Sequence, residues 1–259
     1  MPVVDGRWFV VDERQQVLLI DGQIPVGIEP PVGDSSRHLM GLDSGTPIWA
    51  ARATGGFDDP EDAEWVHLRA LFGRIPETDW AFAGRASQVL LWERDHQYCG
   101  RCGAKNEHHP TDRAQQCPDC GLQSFPRISP AVIMLIERDD GKVLLAWGAQ
   151  FPGRFFSALA GFVEPGESLE ECVAREVREE VGIEIDDIQY FGSQPWPFPH
   201  SMMIGFRARY VSGDITIQEE EIVEAGWYGP DELPPVPKGG MSIAGWLIQD
   251  WLDRTAASL

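Results

Sequence analysis

Seven glutamates crowd between Gly161 and Ile183, in "GFVEPGESLEECVAREVREEVGI". Like charges at helical spacings of three and four repel one another. Several unpaired carboxylates also cannot be taken out of water cheaply. A divalent cation relieves both costs, and hard carboxylate oxygens suit magnesium or manganese. A second set of potential ligands lies upstream. Cys99, Cys102, Cys117 and Cys120 form the pattern C-x2-C-x14-C-x2-C, with Gly103 and Gly121 directly after each pair. Two residues between thiols let each pair wrap an ion in a tight knuckle. Four thiolates make a closed tetrahedral zinc site with no position left for water, so this zinc is structural rather than catalytic. His108 and His109 lie between the pairs and read as surface residues. Cys172, the fifth cysteine, has apolar helix neighbours and reads as a small core residue.

The glutamates need a rigid element to aim them. Glu170 to Val181 holds strong helix formers and no Gly or Pro, with Ser168 as a potential N-cap after the Pro165-Gly166 turn. At roughly 100° per residue, Leu169, Cys172 and Val173 define one side of this helix. Glu176, Glu179 and Glu180 fall on that same side, while Glu171, Arg175 and Arg178 face away. A charged helix usually presents a solvated face. Here the carboxylates follow the apolar stripe, which predicts that they point into the protein or into a cleft beside the core.

Residues 1 to 95 read as one domain. "RWFVVDE", "QVLLI" and "TPIWAARA" are predicted strands, and "EDAEWVHLRALFGRI" is a predicted helix with Trp65, Leu68, Leu71 and Phe72 at helical spacing. "AGRASQVLLWERDHQ" is a second predicted helix. Residues 96 to 126 carry the cysteine pairs. Residues 127 to 259 read as a mixed α/β domain with an Asp-Gly turn near 140 and a closing helix, "SIAGWLIQDWLDRTAA". The formal net charge of −20 argues against general attraction to nucleic acid or anionic lipid. No run of 18 apolar residues and no basic, apolar leader is seen. Paired cysteines in an odd total suit a reducing compartment, so the chain reads as soluble and cytoplasmic, with no membrane contact.

The glutamate segment resembles the Nudix box, G-x5-E-x7-R-E-U-x-E-E-x-G-U with U aliphatic. It matches at Gly161, Glu167, Arg175, Glu176, Val177, Glu179, Glu180, Gly182 and Ile183. This resemblance implies an α/β/α sandwich whose box glutamates hold Mg2+ or Mn2+ and hydrolyse a nucleoside diphosphate linked to another group. Arg175 is then expected to pair with Glu167 and orient the cluster.

Downstream, Ser193 to Ser201 reads "SQPWPFPHS". Three prolines stiffen it, and Trp196 and Phe198 offer flat faces for a planar ring. The stretch resembles the signature of NADH pyrophosphatases within the Nudix family, as do the zinc ribbon and the size of the N-terminal domain. The resemblance implies cleavage of NADH, and less readily NAD+, to nicotinamide mononucleotide and AMP, removal of NAD caps from RNA, and a homodimer. It implies metal ligands at Glu176, Glu179, Glu180, Glu221 and the Ala160 carbonyl. Glu179, Glu180, Glu221 and Arg175 make up the catalytic set, with Glu179 or Glu221 as the general base. Expected substrate residues are Gln194, Pro195, Trp196, Pro197, Phe198, Pro199, His200 and Ser201, together with Phe162, Arg69, Asp112, Phe125 and Ala244. Asp112 stands where the family commonly has Glu, and Phe125 where it has Tyr, which puts substrate preference rather than hydrolysis in doubt. Other readings are hydrolysis of another dinucleotide or nucleoside diphosphate derivative, or a Nudix-like nucleotide-binding regulator without catalysis.

Overall fold

A computed structural model describes residues 5–32, 36–53, 59–151, 153–237 and 239–257. The first four residues of the N-terminal stretch lie outside this description. The chain divides into two compact units, residues 1–127 and 128–259.

In the first unit a sheet is built from β1 (Gly6–Val11), β2 (Gln16–Ile20), β3 (Val26–Gly27), β4 (Arg37–Asp43), β5 (Thr46–Arg52) and β6 (Ala63–His67). Its order is β4-β5-β1-β2-β6, with β3 also paired to β1. Successive residues of β1 point to opposite faces. Trp8 and Val10 join Leu18, Val32 and Ala51 in one cluster. Phe9, between them, meets Phe82 of α1 (Glu77–Asp95) at 5.9 Å.

The helix expected over residues 61–75 is not formed. Strand β6 and a short 3-10 helix, Leu68–Leu71, stand there instead. Asp62 has φ +59°, which interrupts any helix at that point. Trp65 and Val66 then pair with Leu18 and Val17 of β2, as large and β-branched side chains favour. The helical spacing of Leu68 and Leu71 is instead the three-residue repeat of the 3-10 turn, which buries both.

The cysteine knuckles follow α1 and are framed by three two-residue strands, β7 (Glu107–His108), β8 (Gln115–Gln116) and β9 (Gln123–Ser124). The knuckles are near copies. Gly103 N–H donates to the Cys99 carbonyl at 2.9 Å and Gly121 N–H to the Cys117 carbonyl at 3.0 Å. Both glycines sit at positive φ, +79° and +72°, where a side chain would be strained. One sulfur from each cysteine lies within 4.8 Å of all the others. Backbone N–H groups of Cys102 and Arg101 favour the Cys99 thiolate, whereas Cys102, despite the Ala104 N–H, is pushed the other way by the neighbouring Cys117 sulfur. Four sulfurs this close cannot all ionise without a cation between them, and their tetrad fits zinc. His109, expected at the surface, is mostly buried and accepts the Asp112 N–H at 3.1 Å. His108 keeps an exposed ring whose Nε2 lies 3.2 Å from Glu93 Oε1.

The second unit is a six-stranded sheet between two helices. Its strands are β10 (Ser129–Glu137), β11 (Val143–Gly148), β12 (Leu159–Phe162), β13 (Glu184–Trp196), β14 (Ser201–Ser212) and β15 (Ile222–Tyr228). The order is β13-β14-β10-β11-β15, and β12 pairs with β10. The apolar run of β10 is covered on both faces. Val132, Met134 and Ile136 pack with Cys172, Val173 and Val177 of α2 (Leu169–Val181). Ile133 and Leu135 pack with Leu247, Ile248 and Trp251 of α3 (Ile243–Ala257). This is the α/β/α sandwich expected. The turn near 140 is present, with Gly141 at φ +81° joining β10 to β11. Among the described residues no helix is long and apolar enough to cross a membrane.

Candidate active site

The glutamate helix is fixed at both ends. Ser168 Oγ accepts the Glu171 N–H at 3.2 Å, and the Glu171 carboxylate accepts the Ser168 N–H at 2.8 Å. The S-x-x-E pattern of this reciprocal cap was available in the sequence beside the Ser168 N-cap. Gly182 closes the helix at φ +71°. Past that cap, Thr216 N–H bonds to the Val181 carbonyl at 2.9 Å and Gln218 N–H to the Glu180 carbonyl at 3.0 Å. These bonds satisfy carbonyls that a helix end leaves without partners. They also bring Glu221 to the glutamates of α2, since its N–H bonds back to the Gln218 carbonyl at 3.0 Å.

The result is a cleft of about 860 Å³ lined by Ala160, Phe162, Arg175, Glu176, Glu179 and Glu221. Of the consecutive Glu219, Glu220 and Glu221, the last is the one that lines it. Gln218 lines it too, a residue that sequence reasoning did not single out. Gly161 leaves room for the Glu176 carboxylate, which any side chain there would displace. A Cβ built there would lie 1.9 Å from the carboxyl carbon of Glu176.

Arg175 differs from expectation in one respect. It pairs with Glu167 as anticipated, through both carboxylate oxygens. It does not otherwise face away, because its guanidinium also donates to Glu176 and Glu179 at 2.9 Å each and to the Phe162 carbonyl at 3.0 Å. Its long side chain swings back over the border of the apolar stripe and reaches the residues one and four positions on. Glu179 is likewise not on the buried side. Its side chain is 54% exposed at the rim, whereas Glu176 and Glu180 are buried. The 100° rule smears the boundary of a stripe, and Glu179 sits just outside it.

The electrostatics separate the carboxylates. Arg175, with the Glu164 N–H, holds Glu167 down to about 2. Burial raises Glu176, partly offset by Arg175 and reinforced by the charges of Glu179 and Glu221. Burial pushes Glu180 up to about 8, with Glu176, Glu221 and Glu179 adding like charge. Glu180 Oε2 is buried without a hydrogen-bond partner. An orphaned carboxylate oxygen among like charges is a cost unless a cation sits beside it. The oxygen-only donor set fits Mg2+ or Mn2+.

The stretch Ser193–Ser201 is the hairpin between β13 and β14. Register places Ser201 opposite Ser129, and Phe162 opposite Ala131, two residues along the same strand. The hairpin base and the Phe162 side of the cleft therefore share one end of the sheet. Trp196 and Phe198 are half-buried and meet edge to face at 5.0 Å. Pro197 is buried, while Pro195 and Pro199 are exposed. Phe162 is 60% exposed. Gln194, Ser201 and Ala244 are buried, the last on the first turn of α3. Arg69, Asp112 and Phe125 belong to the first unit, all three exposed. Cys172 is fully buried, as expected.

Comparison with known proteins gives this architecture its family. The NUDIX domain family matches residues 127–247, the NADH pyrophosphatase-like rudimentary NUDIX domain residues 1–92, and the NADH pyrophosphatase zinc ribbon domain residues 94–125. The NAD-capped RNA hydrolase NudC of Pseudomonas aeruginosa is 44% identical over 223 residues, 86% of this chain and 79% of that one. The chain belongs to the NADH pyrophosphatase family of Nudix hydrolases. The NudC of Stutzerimonas stutzeri is 41% identical over 98% of this chain and 92% of its own. A crystal structure of a Nudix hydrolase from Nitrosomonas europaea superposes with a TM-score of 0.53 at 22% identity, over 62% of this chain and 93% of that one, a likeness of fold.

Proposed function

We propose that the chain hydrolyses the pyrophosphate bond of NADH and NAD+ to AMP and, respectively, reduced or oxidised nicotinamide mononucleotide, and removes NAD caps from RNA 5′ ends by the same cleavage. The observation that carries this reading is the register of β10, which pairs with Phe162 of the acidic cleft on one side and with Ser201 of the Trp196–Phe198 hairpin on the other, at the same end of the sheet. One feature answers to phosphates and the other to flat rings, which are the two parts of a dinucleotide. The homology to NAD-capped RNA hydrolases supports the same substrate class.

Glu176, Glu179, Glu180, Glu221 and the Ala160 carbonyl would hold the Mg2+ or Mn2+. An ion held there would supply positive charge against the diphosphate and make a water more acidic. The chain's own residues do the rest. Arg175 fixes Glu176 and Glu179 through its paired bonds to Glu167, so the carboxylates need no reorganisation when substrate enters. Glu179, at the exposed rim, or Glu221 takes the proton as water adds to phosphorus and the bridging P–O bond breaks. Phe162, Trp196 and Phe198 present ring faces to the bases, with Pro195, Pro197, Pro199, His200, Ser201 and Ala244 shaping the pocket. Arg69, Asp112 and Phe125 of the first unit are further proposed substrate contacts, and the chain is proposed to act as a homodimer. The chain is proposed to act in the cytoplasm, the reducing setting that two C-x-x-C pairs suit.

Turnover of NADH, NAD+, NAD-capped RNA and ADP-ribose with Mn2+ at equal concentration tests the assignment. Equal release of AMP and reduced nicotinamide mononucleotide from NADH is the expected result. ADP-ribose cleaved much faster than the other three would overturn it. Light scattering of the purified chain tests the dimer, which a monomer mass would refute.

A further inference from the structure

The hairpin between β13 and β14 begins and ends with polar side chains already bonded to protein. At its far end, His200 Nδ1 lies 3.2 Å from Ser129 Oγ, and the Ser129 N–H donates to the His200 carbonyl at 2.9 Å. At its near end, Gln194 is 6% exposed. Its Nε2 donates to the Met241 carbonyl at 2.9 Å, and its Oε1 accepts the Ile243 N–H at 2.8 Å. The two bonds decide the orientation of the amide, since a flipped group would set NH2 against N–H and oxygen against carbonyl.

Ile243 opens α3, so its N–H is one of those the helix cannot satisfy internally. Ser242 Oγ caps the Gly245 N–H at 3.4 Å. Gln194 thus supplies, from 49 residues upstream, a cap that the local sequence does not provide for Ile243. The same bond ties the strand residue two before Trp196 to the helix turn that carries Ala244.

We infer that Gln194 is a positioning residue: it locks the base of the Trp196–Phe198 hairpin onto the first turn of α3 and so sets where the rings stand, without touching substrate. The inference rests on the dinucleotide reading above and reassigns one member of the stretch from ligand contact to brace. Gln194→Ala removes both bonds. Gln194→Glu keeps an acceptor for Ile243 but sets a carboxylate oxygen against the Met241 carbonyl.

The test combines amide hydrogen exchange at Ile243, read by NMR on the full chain, with KM and kcat for NADH and Mn2+ titration. Gln194→Ala is expected to speed Ile243 exchange and to raise KM by about tenfold, the scale of a small misplacement of binding groups. Its kcat should stay within about twofold and its Mn2+ affinity should not change, because α2 and Glu221 are untouched. Gln194→Glu should fall between the two, and it carries the test if the alanine variant does not fold. Ile243 exchange equal to that of the unaltered chain would overturn the brace. So would a fall in kcat at constant KM, or loss of Mn2+ affinity, either of which would place Gln194 in the chemistry. Should the unaltered chain cleave no dinucleotide, the functional reading fails, while the Ile243 exchange still judges the brace by itself.

Discussion

The chain holds two sites built for cations, and they are assembled in opposite ways. The four cysteines are gathered by two copies of one local turn, so that all four sulfurs stand within 4.8 Å of one another. The acidic cleft draws on one helix and on a loop some forty residues further on, joined through backbone bonds from Gln218 and Thr216 to the end of α2. The sulfur site is closed and complete, as a structural ion requires. The acidic site leaves Glu179 and Glu221 exposed beside buried Glu176 and Glu180, which under the proposed function offers an ion ligands on one side and substrate room on the other. One arrangement serves folding and the other leaves an ion accessible to a reacting phosphate.

The contrast breaks most visibly at the zinc site. Cys117→Ser should eliminate bound zinc and unfold the ribbon, given binding energies on the order of 10 kcal/mol for structural zinc in small domains. Elemental analysis and circular dichroism of the variant check this, and zinc retained at one ion per chain would contradict it. Next in size is Glu180→Gln. It removes the buried, unpartnered oxygen from the acidic site and should lower Mn2+-dependent AMP release at least about a hundredfold, since even the outer supports of a metal site cost 10- to 100-fold. The metal-free melting temperature at neutral pH should not fall, because the amide is neutral and nearly isosteric with the protonated acid it replaces.

Much of this contrast was legible from residue order. The knuckles and the glutamate helix each obey a local rule, a two-residue spacing in one and a 3.6-residue period in the other. What stayed hidden depends on contacts distant in sequence. Which of Glu219, Glu220 and Glu221 enters the cleft is decided by Gln218 bonding back to Glu180. That Arg175 bridges Glu176 and Glu179 depends on its length, which a wheel of directions omits. Residues 63–67 became a strand because β2 offered an edge to Trp65 and Val66, whose spacing alone also fits a helix. The role of Gln194 depends on Ile243, 49 residues away, and no local pattern reports it.

The titration of the acidic site sharpens the same contrast by a smaller amount. Glu180 is raised to about 8 from its ordinary 4.5, so the folded chain without metal holds a proton that the unfolded chain gives up between those values. Metal-free stability should therefore fall as pH rises through that window. Bound Mn2+ must displace the proton, so its affinity should climb by up to about tenfold per pH unit until about pH 8. Calorimetric titration at pH 6, 7 and 8 checks the slope, and a flat profile would remove Glu180 from the binding step. Smallest is Ser168→Ala, which deletes the cap of α2 and should cost about 1 kcal/mol of stability in urea unfolding. Loss of more than a few kcal/mol would show that Ser168 does more than cap.

Anomalous diffraction from crystals grown with Mn2+ and AMP tests the central claim most directly. Manganese peaks are expected within coordination distance of Glu176, Glu180 and Glu221, beside the phosphate of the bound AMP. Saturating Mn2+ with no peak among those carboxylates, while AMP binds elsewhere, would contradict it.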